Sequence, residues 1–217
     1  MNIGRTVLAA LSATTLLTAF IPTPASADPH HPPPGSVRIE VATVNGAGCP
    51  MGTASVANNV DTLDNITVSY SAFTVETGGN SHPTAYRKNC EIQLKISTPP
   101  EFTYAILSAD YRGFASLERG ASGVLRSMYK YLSEQPGQRA HEFSGPLVQD
   151  WEFTDGSDLP WIVYKPCGEY RAVTLGTELQ VDVGTSDRSK VSFASMDSTD
   201  GSILSTYHFA WKRCPMV

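Results

Sequence analysis

The chain has 217 residues, with 16 Lys and Arg against 21 Asp and Glu, and a formal net charge of −5 at pH 7. A mildly acidic chain without a basic run is a poor partner for nucleic acid or for an anionic membrane surface, so both are excluded as partners. The length fits one domain and is sufficient to bury a sizeable core.

The first 27 residues are predicted to be a secretory signal peptide. Arg5 provides a positive n-region, residues 7–21 form a mostly apolar run, and Ala25-Ser26-Ala27 matches the small-x-small cleavage pattern. The apolar run is shorter than the roughly 20 residues that a membrane-spanning helix requires, and prolines follow it at once. We therefore expect a secreted, extracellular protein without a membrane span.

Residues 28–36, DPHHPPPGS, are predicted to form a stiff, disordered leader, because proline removes backbone donors. His30-His31 raises the question of a copper site, which uses a deprotonated amide at the second residue of the mature chain. Cleavage after Ala27 places Pro29 there, and proline has no amide proton to lose. A leader without metal is the expectation, followed by a single domain over residues 37–217.

Period-two alternation of apolar and polar residues predicts β-strands through most of that domain. The predicted strands are 37–44, 66–70, 90–96, 102–106, 162–164, 178–183, 191–194 and 207–211. The phase of the large residues slips after Tyr70, which predicts a β-bulge near Ser71-Ala72. Turn signals stand at Gly78-Gly79-Asn80, Pro136-Gly137, Asp155-Gly156 and Asp200-Gly201.

Residues 124–132 fit two patterns. Val124, Leu125, Met128, Tyr129 and Leu132 fit one face of a helix, whereas a period of two places Leu125 and Tyr129 on one side of a strand. We expect a strand, because the surrounding chain is strand-like. The whole pattern predicts an all-β fold, an antiparallel β-sandwich of the jelly-roll or immunoglobulin-like type, and no strand–helix alternation supports a doubly wound fold.

Four cysteines, Cys49, Cys90, Cys167 and Cys214, imply two disulfides in an exported chain. No pair has the C-x-x-C spacing of a zinc or redox site. Four cysteines permit three pairings and the sequence does not choose among them. We favour Cys49–Cys90 with Cys167–Cys214, one bridge in each half, each closing a loop of roughly 45 residues and stabilising the fold by about 4 kcal/mol in the chain-entropy model.

An ordered set of short motifs spans nearly the whole chain after the leader. In order they are Gly48-Cys49-Pro50, Arg87-Lys88-Asn89-Cys90, Phe102-Thr103-Tyr104-Ala105, Asp110-Tyr111-Arg112-Gly113, Phe143-Ser144-Gly145-Pro146, Pro166-Cys167-Gly168, Thr177-Glu178-Leu179 and Trp211-Lys212-Arg213-Cys214. The set resembles a family of small secreted proteins of bacteria and filamentous fungi known only as a domain of unknown function, DUF4360. The resemblance implies an all-β exported domain with this cysteine framework, favours a strand over 124–132, and implies no activity.

Recognisable catalytic and metal motifs are missing from the sequence. There is no G-x-S-x-G and no H-E-x-x-H, so no catalytic residue and no metal site are predicted, although His82, His141 or His208 could meet a serine in space. The acidic runs 155–158 and 197–202 resemble calcium loops, but their spacing fails the calcium-loop pattern. We expect no cofactor, with calcium as the minor alternative.

Five polar residues are candidates for ligand binding: Asp110, Arg112, Asp150, Glu152 and His208. Asp150 and Glu152, two apart on a strand, point to one face, with Trp151 on the other, and carboxylates near aromatic rings suit sugar binding or hydrolysis. Arg112 is expected either to grip a ligand carboxylate bidentately or to pair with a nearby acid and pin its own loop.

Three functions remain open from the sequence. The first and favoured one is an extracellular binding or interaction domain for a glycan or a cell-surface protein, with tyrosines 70, 104, 111 and 131 and tryptophans 151 and 161 as aromatic candidates that are mostly expected in the core. The second is a secreted hydrolase that uses Asp, Glu or His. The third is a structural or inhibitory envelope protein held rigid by its disulfides. No oligomeric state is predicted.

Overall fold

A computed structural model describes residues 30–58, 64–131, 137–156, 162–196 and 204–215, so the predicted signal peptide lies outside the described residues. The described chain forms strands and turns. The strands are β1 (Arg38–Asn45), β2 (Ala54–Asn58), β3 (Asn65–Tyr70), β4 (Thr74–Thr77), β5 (Arg87–Ser97), β6 (Phe102–Leu117), β7 (Ser122–Tyr131), β8 (Gly137–Ser144), β9 (Leu147–Asp155), β10 (Val173–Asp182), β11 (Ser192–Ser195) and β12 (Leu204–Arg213). Within these ranges there is no helix that could cross a membrane.

The strands form two sheets in which every pairing is antiparallel. The five-stranded sheet has the order β1-β5-β10-β7-β8. The seven-stranded sheet has the order β2-β3-β12-β6-β11-β4, and β9 pairs with the second half of the long strand β6. The predicted all-β antiparallel sandwich is confirmed.

Side chains from the facing sides of the two sheets form the core. Ile92 of β5 lies opposite Leu175 of β10, and both are buried, because antiparallel partners share a face of the sheet. The largest fully buried side chains are the tyrosines Tyr104, Tyr111 and Tyr207. The rings of Tyr111 and Tyr207 meet edge to face with centroids 6.0 Å apart, so the core is stabilised by aromatic geometry as well as by apolar area.

Both favoured disulfides are confirmed. Cys49, in the turn between β1 and β2, is bonded to Cys90 at the start of the buried part of β5. Cys167, in the loop that precedes β10, is bonded to Cys214 immediately after β12. No thiol of these four remains free, so the cysteines act as crosslinks.

Several predicted strands are present in the structure, but some of them begin or end at other residues than predicted. Residues 124–131 lie in β7, which confirms the strand over the helix, and β5 ends before Pro99-Pro100 as expected. β6 continues to Leu117 instead of ending at residue 106, so the Asp110–Gly113 segment, expected as a loop, is strand. β10 begins at Val173, upstream of the predicted start, because its early residues are buried on both faces and do not alternate.

Three local predictions are wrong. Residues 71–73 are a break rather than a bulge, because the chain leaves β3, which pairs with β12, for β4, which pairs with β11. Residues 162–164 form no strand and precede Pro166, which cannot donate to a ladder. Asp155, expected in a turn, ends β9 and its carboxylate is buried. The signals Pro136-Gly137 and Asp200-Gly201 fall wholly or partly outside the described residues.

The described part of the leader contains a turn. The backbone N–H and the hydroxyl of Ser36 both donate to the carbonyl oxygen of Pro33, at 3.1 and 2.6 Å. Pro32 is buried, and Nε2 of His31 lies 3.4 Å from Oδ1 of Asp64, just before β3. The boundaries of the leader and of the signal peptide stay predictions.

Candidate functional site

The five candidate ligand-binding residues share the outward side of the seven-stranded sheet, which we call the polar face (Asp110, Arg112, Asp150, Glu152 and His208). β6 and β9 pair so that Arg112 lies opposite Glu152, and β6 pairs with β12 on its other side. The inward neighbours of these residues, Tyr111 and Trp151 among them, are buried. Strand alternation therefore gathers on one surface residues that lie up to a hundred positions apart.

One ion pair and one histidine–carboxylate hydrogen bond organise the polar face. Nε and Nη2 of Arg112 donate to Oε1 of Glu152 at 3.2 and 3.0 Å, so the arginine pairs with a nearby acid, one of the two roles expected for it. Nε2 of His208 lies 2.9 Å from Oδ2 of Asp110, whose Oδ1 accepts a hydrogen bond from Thr154 at 2.6 Å. The Arg112 and Glu152 side chains are more than half exposed, and such a pair contributes about 0–1 kcal/mol to stability.

The environment of Asp110 favours its ionised form. Partial burial raises the pKa of Asp110, but the hydrogen bonds from Thr154 and His208, together with the charges of His208 and Arg112, outweigh it, so the pKa lies below its ordinary value. Asp110 is therefore a carboxylate at neutral pH that is already engaged by two donors.

The aromatic candidates lie in the core, as mostly expected. The tyrosines at 70, 104, 111 and 131 and Trp151 are all buried, and Trp161 lies outside the described residues. Two phenylalanines outside the predicted set, Phe114 and Phe193, are half-buried on the polar face with ring centroids 5.8 Å apart. Phe114 lies directly opposite Asp150.

A second cluster, which we call the core network (Tyr111, Ser127, Tyr129, His141 and Asp155), lies between the sheets. Tyr111, Ser127 and Asp155 are buried, and Tyr129 and His141 are half-buried at its edge. The hydroxyls of Ser127 and Tyr129 donate to Oδ2 of Asp155, while Nε2 of His141 lies 2.6 Å from Oδ1. The hydroxyl of Tyr111 bonds that of Tyr129. The pKa values of Tyr111 and Tyr129 both lie well above the ordinary value for tyrosine. Burial is the largest cause, and the charges of neighbouring groups are the next.

The core network contains a serine, a histidine and an aspartate in the wrong order for nucleophilic catalysis. A catalytic serine gives its proton to the histidine, and the aspartate orients that histidine. Here Ser127 donates to Asp155 and the histidine meets the other oxygen of the same carboxylate. The arrangement joins strands of both sheets and does not activate the hydroxyl.

A groove with a volume of about 560 Å³ lies on the outward side of the five-stranded sheet; we call it the sheet groove. It crosses four neighbouring strands. Its lining residues are Arg87, Asn89, Cys90, Glu91, Arg126, Ser127, Met128, Gln138, Arg139, Ala140, Gly176, Thr177, Glu178 and Gln180. A Cβ placed on Gly176 would lie 2.7 Å from Cε of Met128, so the bare backbone of β10 makes room for that thioether.

Opposite charges meet in the sheet groove around Glu178. Its Oε2 accepts from Nη2 of Arg87 and its Oε1 accepts from Nη1 of Arg126 at 2.8 Å, while the same Nη1 donates to Gln180 at 3.1 Å. The glutamate side chain is 16% exposed, against 55% and 47% for the two arginines. The hydrogen bond and the charge of Glu178 raise the pKa of Arg87, which stays charged.

Sequence reasoning missed the sheet groove because its residues have the pattern of the solvated side of four separate strands. Arg126 and Glu178 become neighbours only through the pairing of β7 with β10, which the sequence does not reveal. The one local signal is Gly176 inside a strand, since glycine there marks a bulge or a close approach.

Metal ligation has no support among the described residues, where no group of three or more His, Cys, Asp or Glu side chains is placed to hold an ion. The acidic run 197–202 and most of the run 155–158 lie outside the described residues, so the calcium alternative stays a prediction.

Comparison with known proteins places the chain in a group of secreted proteins. The model of a family described as a domain of unknown function (DUF4360) matches residues 35–214. An "Uncharacterized secreted protein" of Arthroderma benhamiae is 32% identical over 185 residues, covering 84% of this chain and 74% of the relative. A solved structure of TmCBM61 in complex with beta-1,4-galactotriose aligns with a TM-score of 0.28 and 9% identity, covering 85% of this chain and 98% of that one. So low a TM-score does not establish a shared fold.

Proposed function

The chain belongs to the DUF4360 family, and from that premise we propose that this secreted protein is an extracellular binding domain that holds a polysaccharide chain in the sheet groove. The observation that carries the proposal is the groove itself, a polar depression across four strands of a sheet braced by a disulfide. Its volume of about 560 Å³ falls within the range of roughly 300–1,000 Å³ typical of ligand sites.

The lining of the sheet groove supports a polyhydroxylated ligand. Asn89, Gln138 and Gln180 carry amides that both donate and accept, and such groups match sugar hydroxyls, which do the same. Met128, above Gly176, adds an adaptable apolar surface for the C–H side of a sugar ring. All of these side chains are mounted on strands, which hold binding groups more rigidly than loops do.

A second depression indicates that the ligand is a polysaccharide rather than a single sugar. A hollow of about 270 Å³ shares Gln180 with the sheet groove and continues along the same side of the sheet to Ser122, Ser144 and Asp182. Together the two depressions follow neighbouring strands, so an extended chain can occupy both.

The test fills the groove without disturbing the core. Ala140 is exposed on the edge strand β8 and lines the groove, so Ala140→Trp should block it while the protein still folds. Val148 is 75% exposed on β9, beside the polar face, so Val148→Trp is the matched control. Binding of both variants to cellulose, chitin, xylan, mannan and alginate is measured by affinity electrophoresis and calorimetry.

We expect the wild type and V148W to bind one of these glycans and A140W to lose that binding. Loss in V148W alone would move the ligand site to the polar face, with Asp110, Arg112, Asp150, Glu152 and His208 as its residues. Retention of no glycan by the wild type would contradict the proposal. Release of new reducing ends from the bound glycan would instead support a hydrolase.

A further inference from the structure

The two arginines of the sheet groove are held side by side by one carboxylate. Both oxygens of Glu178 are used, one by Arg87 and one by Arg126. Within the described part of the chain, Arg126 donates its side-chain hydrogen bonds from Nη1. Arg87 donates its side-chain hydrogen bond from Nη2. Two guanidinium groups, each about half exposed, therefore present their remaining N–H donors to the groove from a fixed position.

We propose that this arginine pair binds the carboxylate of an acidic sugar, so that the ligand of the sheet groove is a uronate-bearing polysaccharide. The inference rests on the proposed function and names its substrate class. A guanidinium offers two parallel N–H groups that match a carboxylate, and its charge makes those hydrogen bonds stronger than bonds between neutral groups.

Glu178 acts as the positioning residue for the pair. Two adjacent arginines repel each other, and an interposed carboxylate offsets that repulsion while it fixes both planes. Because Glu178 lies deeper than the arginines, its oxygens are not presented to a ligand. The surface of the pair that a ligand meets is consequently rich in donors and cationic.

Charge varies along the two depressions. Two arginines, at 87 and 126, and two glutamates, at 91 and 178, line the sheet groove from the outward side of their strands, whereas Arg139 lies opposite the buried Ser127 and is on the inward side. The adjoining hollow is lined by Glu142 and Asp182 and by no lysine or arginine among the described residues. A carboxylate is therefore attracted to one end, while the other end accepts hydrogen bonds from sugar hydroxyls.

The whole chain has a net negative charge, so binding of an acidic polymer depends on the local positive charge of the arginine pair. At −5 the protein repels polyanions at long range, and salt screens that repulsion. Binding of an acidic chain at moderate salt therefore requires a specific cationic site, which the arginine pair provides.

The experiment uses one polymer in charged and uncharged form. Affinities for alginate, for alginate with its carboxylates esterified, and for neutral mannan are measured by calorimetry on the full mature protein. The variants are Arg126→Gln, Arg126→Lys and Arg87→Gln, with Arg38→Gln as the matched control, because Arg38 is an exposed arginine paired with Glu40 at 2.7 Å elsewhere on the same sheet.

We expect alginate to bind, and esterification to weaken it by about tenfold to a hundredfold, the effect of losing one charged hydrogen-bonded pair. R126Q and R87Q should weaken alginate binding to the same degree, R126K should recover part of the affinity, and R38Q should bind as the wild type does. Urea denaturation of each variant establishes that it is folded.

Equal affinity for alginate and its ester, or alginate binding unchanged in R126Q and R87Q, would overturn the inference and leave the proposed function standing. Binding of mannan with no binding of alginate would do the same. Equally tight binding of polyacrylate, a polyanion without sugar rings, would show recognition of charge alone and would also overturn it. Binding of none of these polymers or of the wider glycan panel would defeat the proposed function itself.

Discussion

The imidazole of His141, on the edge strand β8, contacts the carboxylate of Asp155, at the end of β9, with 2.6 Å between Nε2 and Oδ1. β8 belongs to the five-stranded sheet and β9 to the seven-stranded one, so this contact closes the sandwich between its layers. The side chain of Asp155 is completely buried. A carboxyl group in that position is costly unless both of its oxygens are satisfied, and three donors satisfy them here.

Replacing Asp155 should destabilise the fold severely. Asp155→Asn keeps the volume but replaces one acceptor oxygen with a donor that faces donors, so we expect a loss of about 3–5 kcal/mol in the free energy of unfolding. Urea denaturation followed by tryptophan fluorescence measures it. Asp150→Asn is the control, because this carboxylate is exposed on the same strand, and its change should stay within about 0.5 kcal/mol. Equal stability of the two variants would show that the core network contributes nothing.

Gly46 should tolerate a side chain far less well than Gly52. Both have positive φ, +132° and +84°. A Cβ on Gly46 would lie 2.1 Å from the carbonyl oxygen of Asn89, beside the first disulfide, whereas a Cβ on Gly52 meets nothing within 4 Å. Gly52→Ala should therefore cost only the backbone strain, about 1–2 kcal/mol, and Gly46→Ala roughly twice as much or more. Thermal unfolding of both variants, side by side, measures the difference; a G46A protein as stable as G52A would contradict the close approach.

Removal of the Cys49–Cys90 disulfide should lower the free energy of unfolding more than removal of the Cys167–Cys214 disulfide. They span 41 and 47 residues, so the loop-closure contribution is about 4 kcal/mol for each. Cys49 and Cys90 are fully buried, whereas Cys167 is exposed, so serines in the first pair also bury hydroxyl groups in the core. We expect the C49S/C90S protein to be less stable than the C167S/C214S protein in urea. A larger loss for the second pair would contradict this ranking.

The sequence predicts features whose pattern lies within one strand, and it does not predict features that depend on contacts between strands. The alternation from Cys90 to Ile96 is visible in one strand and was predicted correctly, and so was the shared direction of Asp150 and Glu152. Asp155-Gly156 is a turn signal and predicts a turn, whereas the burial of Asp155 depends on donors that lie on other strands. The sheet groove depends on the register of four strands, which no single stretch of sequence encodes.

The stability contributed by Asp110 should disappear in acid. Its pKa is lower in the folded protein than in the unfolded chain, so the folded state binds fewer protons, and the contribution is present above the unfolded pKa of about 3.9. It is lost as the pH falls through the folded value. The melting temperatures of wild type and Asp110→Asn, measured from neutral pH down to about pH 2.5, should converge in acid. A gap that stays constant, or widens, as the pH falls would show that Thr154 and His208 do not favour the carboxylate.

Calcium should leave the melting temperature unchanged. A ligand that binds only the folded state raises the melting temperature, and the acidic runs 155–158 and 197–202 lack the ligand spacing of a calcium loop. In the first run the Asp155 carboxylate is already bound by protein donors, so it is not offered to an ion. Differential scanning calorimetry with added calcium, with added magnesium and with a chelator compares the three conditions. A rise that calcium alone produces, and that Asp197→Ala with Asp200→Ala abolishes, would make the second run a calcium site.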